Sequence, residues 1–105
     1  MHASLSAQRE ALAALCRRHG VARLAVFGSA ARGGDFDPAV SDVDLLVEFA
    51  PHATRSLGAL LALEEEAAAL LARPVDLLER QALEESGNYL RRRRILAEAE
   101  PLFGA

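Results

Sequence analysis

Lysine is absent from these 105 residues, and all twelve cations are arginine. That absence excludes a P-loop lysine and any Schiff-base chemistry. A single cysteine, Cys16, rules out an internal disulfide. No signal-peptide pattern is present, nor any run of about 20 apolar residues, so a soluble, cytoplasmic protein with no membrane partner is expected. A positive excess is missing as well. Fifteen acidic residues against twelve basic ones leave a net charge of -3, the wrong sign for gripping nucleic acid through many phosphates. Direct nucleic-acid binding is therefore not expected.

What is present suits one small domain over 1–105. With 51% hydrophobic residues the chain can fill one core, but it is too short to enclose a large substrate, so an open cleft is expected. Ser6 to His19 carries Leu12, Leu15, Cys16 and His19 at helical spacing, with Gly20 placed as a stop. Val21 to Phe27 reads as a buried strand running into Gly28. Ser29 to Arg32 suits a short helical turn closed by Gly33 and Gly34, and Asp42 to Phe49 reads as a second strand. Leu57, Leu60, Leu61, Leu63, Ala67, Leu70 and Leu71 form the apolar stripe of a helix that Pro74 breaks. Val75 to Leu78 is a third strand, and Leu83 to Ala99 a last helix interrupted or preceded by Gly87-Asn88. Helix, strand, strand, helix, strand, helix implies an α/β or α+β unit, with helices flanking a small mixed sheet. Periodicity alone does not fix the strand order.

The chemistry concentrates at strand ends. Gly28-Ser29 follows an apolar run and offers backbone N–H groups and a hydroxyl to a phosphate. Asp42-Val43-Asp44 opens the next apolar run, and aspartates at i and i+2 of a strand share a face. Aspartate is also ordinary turn chemistry where a loop enters a strand. Two carboxylates about 4 Å apart nevertheless repel by about 4 kcal/mol at an effective dielectric near 20, and a cation offsets that cost. Magnesium, which prefers carboxylate and phosphate oxygens, is the natural choice. Asp76, between Val75 and Leu77, alternates correctly for a side chain pointing off the core face.

The stretches Val26-Phe27-Gly28-Ser29-Ala30-Ala31-Arg32-Gly33 and Ser41-Asp42-Val43-Asp44-Leu45-Leu46-Val47-Glu48-Phe49 resemble the signature of the minimal nucleotidyltransferases (MNT domains) of the DNA polymerase β-like superfamily. Pro74-Val75-Asp76-Leu77-Leu78 looks like that family's third-carboxylate strand. The resemblance covers essentially the whole chain. It implies a nucleotidyltransferase fold in which Asp42, Asp44 and Asp76 meet at the sheet edge as catalytic and metal-binding residues, holding two Mg2+ ions. It also implies a nucleotide-binding set of Gly28, Ser29 and Arg32, with ATP as substrate. Arg32 has two readings, phosphate contact or pairing with Asp35 or Asp42. Gly33 is expected to supply a positive-φ turn. The segment Gly34 to Val40 makes this loop longer than in the shortest family versions.

Minimal domains of this family typically work with a small helical HEPN partner encoded beside them, as the antitoxin of a toxin–antitoxin pair. Some silence the toxin by adenylylating a tyrosine. The resemblance thus implies an adenylyltransferase acting on a tyrosine hydroxyl of a HEPN partner, in a hetero-oligomer. Two alternatives stand beside it: a noncatalytic subunit that neutralises or scaffolds a helical partner by contact, and transfer to a small hydroxylated molecule such as an antibiotic. Other residues read as structural. Cys16 belongs to the core and His19 suits a helix C-terminus. His2 and His52 lack ligand-spaced companions, and Glu64 to Glu66 form a solvated face. Arg91 to Arg94 sweep about 300° of a helix, so at least one must cross apolar surface or reach a neighbour. A partner is expected on that helix near Tyr89, Leu90, Ile95 and Leu96.

Overall fold

The computed structural model describes residues 3–32, 42–53 and 56–104. His2, the turn expected at Gly33 and the loop from Gly34 to Val40 lie outside the described residues. The chain runs α1 (Ala3–Ser6), α2 (Arg9–His19), β1 (Val21–Phe27), α3 (Ser29–Arg32), β2 (Val43–Phe49), α4 (Leu57–Leu71), β3 (Val75–Glu79), α5 (Arg80–Glu84), α6 (Tyr89–Glu98) and β4 (Glu100–Phe103).

One four-stranded sheet carries the fold in the order β3-β2-β1-β4. β2 and β3 are parallel, joined through α4 as a parallel pair requires, whereas β1 is antiparallel to both β2 and β4. The two faces of the sheet differ because the strand residues alternate. Leu24 and Val26 of β1, Val43, Leu45, Val47 and Phe49 of β2, and Val75 and Leu77 of β3 enter the larger core with Leu12, Leu15 and Cys16 of α2 and Leu63, Ala67 and Leu71 of α4. The opposite face has a much smaller core, in which Leu46 packs with Leu83 of α5 and Ile95 of α6, flanked by Ala25, Phe27, Leu78 and Ala99. Asp44 and Asp76 alternate onto this thinly covered face.

Helix ends follow local chemistry. Gly20 takes a left-handed conformation (φ 70°) and donates its N–H to the Cys16 carbonyl, which stops α2 as its position implies. Ser56 caps α4, its hydroxyl accepting from the Ala59 N–H at 3.1 Å, and the Asn88 side chain caps α6 by accepting from the Arg91 N–H at 3.0 Å. α4 ends at Ala72, which itself adopts a left-handed φ of 56°, two residues before Pro74.

The interruption expected at Gly87-Asn88 is present, since α5 ends at Glu84 and α6 begins at Tyr89. Three sequence expectations need correction. The helix expected from Ser6 begins at Arg9, and a separate short helix, α1, precedes it and carries Leu5 into the core. The acidic run of α4 is not simply solvated: Glu66 binds Arg18 (2.9 Å) and His19 of α2, and Glu64 accepts the Leu77 N–H at 3.4 Å. The fourth strand was not anticipated. It contains Pro101, which lacks an N–H and is tolerated because β4 is an edge strand.

Candidate active site

The pairing of the strands brings three distant sequence segments to one sheet edge. Phe27, the last residue of β1, is opposite Asp44 in the antiparallel register, and Asp44 is beside Asp76 in the parallel one. Gly28 follows Phe27 directly, with φ at +71° and its carbonyl accepting the N–H groups of Ala31 and Arg32 at 3.1 Å, which sets the turn of α3. The positive φ favours glycine, and a Cβ added at Gly28 would come to 2.5 Å from Asp44 Oδ2, so a larger residue would also displace that carboxylate.

These residues line an open cleft of about 440 Å³, with Phe27, Gly28, Ser29, Arg32, Asp44 and Asp76 along one side and Arg91, Arg94, Ile95 and Glu98 of α6 along the other. The volume is in the range of small-ligand pockets. Asp42 is exposed just before β2 and is not part of the cleft wall. The structure therefore pairs Asp44 with Asp76, while Asp42, two residues before Asp44, is near enough for its charge to act on that carboxylate. Among the described residues, no three His, Cys, Asp or Glu side chains gather as a ready metal cage.

The electrostatics of the carboxylate pair are unfavourable in isolation. Burial raises the Asp44 pKa above its ordinary 3.8, the neighbouring charges of Asp76 and then Asp42 raise it further, and Arg32 opposes them. A carboxylate with this combination gains from a cation. Oxygen donors from one or two carboxylates, completed by substrate phosphates and water, are the coordination magnesium prefers, so the residues present fit that ion. Arg32 is further tied to the opposite wall, its Nη1 donating to Glu98 Oε1 at 3.1 Å. Glu98 is a partner that the sequence reading, which looked to Asp35 or Asp42, did not name.

The sequence profile of the nucleotidyltransferase domain family matches residues 8–101, a span that includes every residue of this cleft. The chain belongs to that family. A structure described as a candidate minimal nucleotidyltransferase is similar to this nucleotidyltransferase domain over 96% of both chains, with 38% sequence identity and a TM-score of 0.74. Two further structures share the fold at lower identity. One is a toxin–antitoxin with AMP-PNP (22% identity, TM-score 0.68, covering 92% of this chain and 73% of that one). The other is a tri-AMPylated HEPN toxin in complex with an MNT antitoxin from Shewanella oneidensis (19% identity, TM-score 0.65, covering 96% and 73%). No curated protein matches the chain.

The α6 wall is what the sequence reading missed. Ile95, expected on a partner surface, is instead only 2% exposed and anchors α6 to Leu46 and Leu83. Tyr89, Leu90 and Leu96 are exposed. Of the four arginines, Arg92 ties α6 back to the preceding turn by donating to the Glu84 and Ser86 carbonyls at 3.2 Å, with its guanidinium 5.5 Å from the Tyr89 ring centre. Arg91 and Arg94 face the cleft. The signal was available: positions 91, 94, 95 and 98 share one helical face, and anchoring Ile95 inward turns its neighbours toward the same side.

Proposed function

We propose that this nucleotidyltransferase domain transfers AMP from ATP to a hydroxyl of a helical HEPN-type protein, with tyrosine as the acceptor, and so acts as the antitoxin of that partner in a cytoplasmic hetero-complex. The observation that carries the reading is the meeting of the Gly28-Ser29 turn with the Asp44–Asp76 pair in one open cleft. The fold shared with an AMP-PNP complex and with an MNT antitoxin bound to an AMPylated HEPN toxin supports both the nucleotide and the class of partner. A chain whose cleft is open on one side is suited to an acceptor supplied by another protein, which would also exclude water.

In this reading Gly28 admits the triphosphate close to the backbone, and the Ser29 hydroxyl donates to a phosphate oxygen. Arg32, held by Glu98, partly neutralises the cleft and shapes its floor. Asp44 and Asp76, joined by Asp42 from the strand entrance, would hold magnesium, one or two ions, which when bound supplies charge neutralisation of the triphosphate and activation of the attacking oxygen. Asp76, the more exposed of the pair, is placed to take the acceptor's hydroxyl proton. The acceptor oxygen then bonds to the α-phosphorus while the bond to the bridging oxygen breaks, and pyrophosphate leaves with that electron pair.

The test is co-expression with the product of the neighbouring gene, followed by intact-mass measurement of that product with ATP and magnesium. A mass gain of AMP size on a tyrosine, lost in Asp42→Asn/Asp44→Asn, is the expected result. A stable complex with no modification, insensitive to those substitutions, would replace it with the contact-only subunit.

A further inference from the structure

Many of the arginines described in this protein are neutralised by the fold. Arg18 pairs with Glu66, Arg23 with Glu48, Arg32 with Glu98 and Arg80 with Glu84, while Arg92 is held by two carbonyls. Arg17, Arg91, Arg93 and Arg94 are not, and of these four only Arg91 and Arg94 stand in the cleft. Both line the cleft, and among the described residues neither guanidinium makes a hydrogen bond or an ion pair. This is not for want of acid, since the chain carries an excess of carboxylates.

The two side chains are three residues apart on one helical face, so they project side by side with their Cβ atoms about 5–6 Å apart. Like charges at that spacing repel, and packing does not require them, because Ile95 alone anchors this part of α6. A guanidinium fork matches phosphate oxygens in two-point contacts, and two adjacent forks match a ligand with two adjacent anionic groups. Across the cleft stand Asp44 and Asp76, which repel an anion unless a cation intervenes. A ligand satisfying both walls has one anionic group bridged to the carboxylates through a cation and further anionic groups reaching α6. A polyphosphate has that form.

We propose that Arg91 and Arg94 grip the β- and γ-phosphates of the nucleoside triphosphate, the portion that departs as pyrophosphate, so that α6 is the wall that distinguishes a triphosphate from a monophosphate. The inference rests on the nucleotidyltransferase reading of the cleft. As the bond between the α-phosphorus and the bridging oxygen breaks, the electron pair stays with the leaving pyrophosphate, and the growing charge falls next to the two guanidinium groups.

The experiment is calorimetric titration of the wild-type domain and of Arg91→Gln, Arg94→Gln and the double variant, in magnesium, with a nonhydrolysable ATP analogue, AMP and inorganic pyrophosphate. Both side chains are exposed, so melting temperatures should be unchanged. Each lost charge-assisted contact should weaken the ATP analogue by about ten- to a hundredfold, with pyrophosphate weakened in parallel and AMP changed by less than about twofold. Arg91→Lys/Arg94→Lys should recover part of the loss, since charge returns without the fork. Analogue affinity unchanged in the double variant, as it would be if the arginines served the acceptor, overturns the proposal. Equal losses for AMP and the analogue overturn it too. A wild-type domain that binds neither the analogue nor pyrophosphate removes the nucleotidyltransferase reading itself, and the assignment of α6 with it.

Discussion

Replacing Asp44 with asparagine should stabilise the metal-free domain while depriving it of magnesium. Asp44 and Asp76 are direct neighbours in the parallel register of β2 and β3. Adjacent strands lie about 4.8 Å apart, which puts the repulsion of two full charges near 3.5 kcal/mol at an effective dielectric of about 20. Asp76 is exposed and Asp44 only half-buried, so solvent screens the pair and about 1 kcal/mol is the working value. For a domain of this size that corresponds to a rise in melting temperature of about 4–8 °C. The sign with pH follows from the raised pKa of Asp44. Ionised Asp44 is a cost to the folded state at neutral pH, and the cost is relieved as pH falls through the raised folded value toward 3.8, where the unfolded chain also protonates. The advantage of Asp44→Asn should thus be largest near pH 7 and shrink in acid, whereas magnesium should raise the melting temperature of wild type only. Thermal melts at neutral and acidic pH, with and without magnesium, measure all three effects. An asparagine variant less stable than wild type at pH 7 without metal, or one whose advantage ignores pH, would refute the electrostatic account.

Three other outcomes follow from local geometry. Gly28→Val places a β-branched residue at φ +71° with its Cβ against Asp44 Oδ2, and should cost about 1–3 kcal/mol of stability and block the nucleotide; normal binding of an ATP analogue by calorimetry would move the phosphate site elsewhere. Ala72→Gly relieves a left-handed conformation in a non-glycine residue and should gain about 0.5 kcal/mol, read from the urea midpoint, once the extra freedom of glycine in the unfolded chain is subtracted. Cys16 is fully buried and its thiol pKa is pushed up to about 11 by burial, so it should resist thiol reagents at pH 8 until urea unfolds the domain; prompt labelling of the native protein would contradict its place in the core.

The sequence made the strands of the site readable because their chemistry is local. Val21 to Phe27 ends at a glycine, and the alternation around Asp44 and Asp76 marks which side chains leave the core. What stayed hidden was set by tertiary partners. The break between α1 and α2 has no glycine or proline to announce it, and its gain is the burial of Leu5. β4 contains a proline and spans only Glu100–Phe103, so nothing within the segment distinguishes it from a tail; it is a strand because β1 offers it an unpaired edge. Glu98 is unremarkable in sequence and becomes part of the cleft only when α6 folds back across the sheet to meet Arg32.

That return of α6 also explains why so small a chain can form a two-walled cleft. β1 is antiparallel to β2 and β2 is parallel to β3, so the end of β1 and the starts of β2 and β3 must share one edge, and Gly28, Asp44 and Asp76 come together with no further device. The face they occupy has few apolar residues to bury, and α6 covers it by a single deep anchor, Ile95, beside Leu46 and Leu83. A helix held at one point along its face presents the residues beside that point to whatever space remains. Here those residues are arginines, and the space is the cleft. The weakness of the second core and the charge of its covering helix therefore have one physical origin: apolar side chains at 91 and 94 would have closed the face, and arginines keep it open.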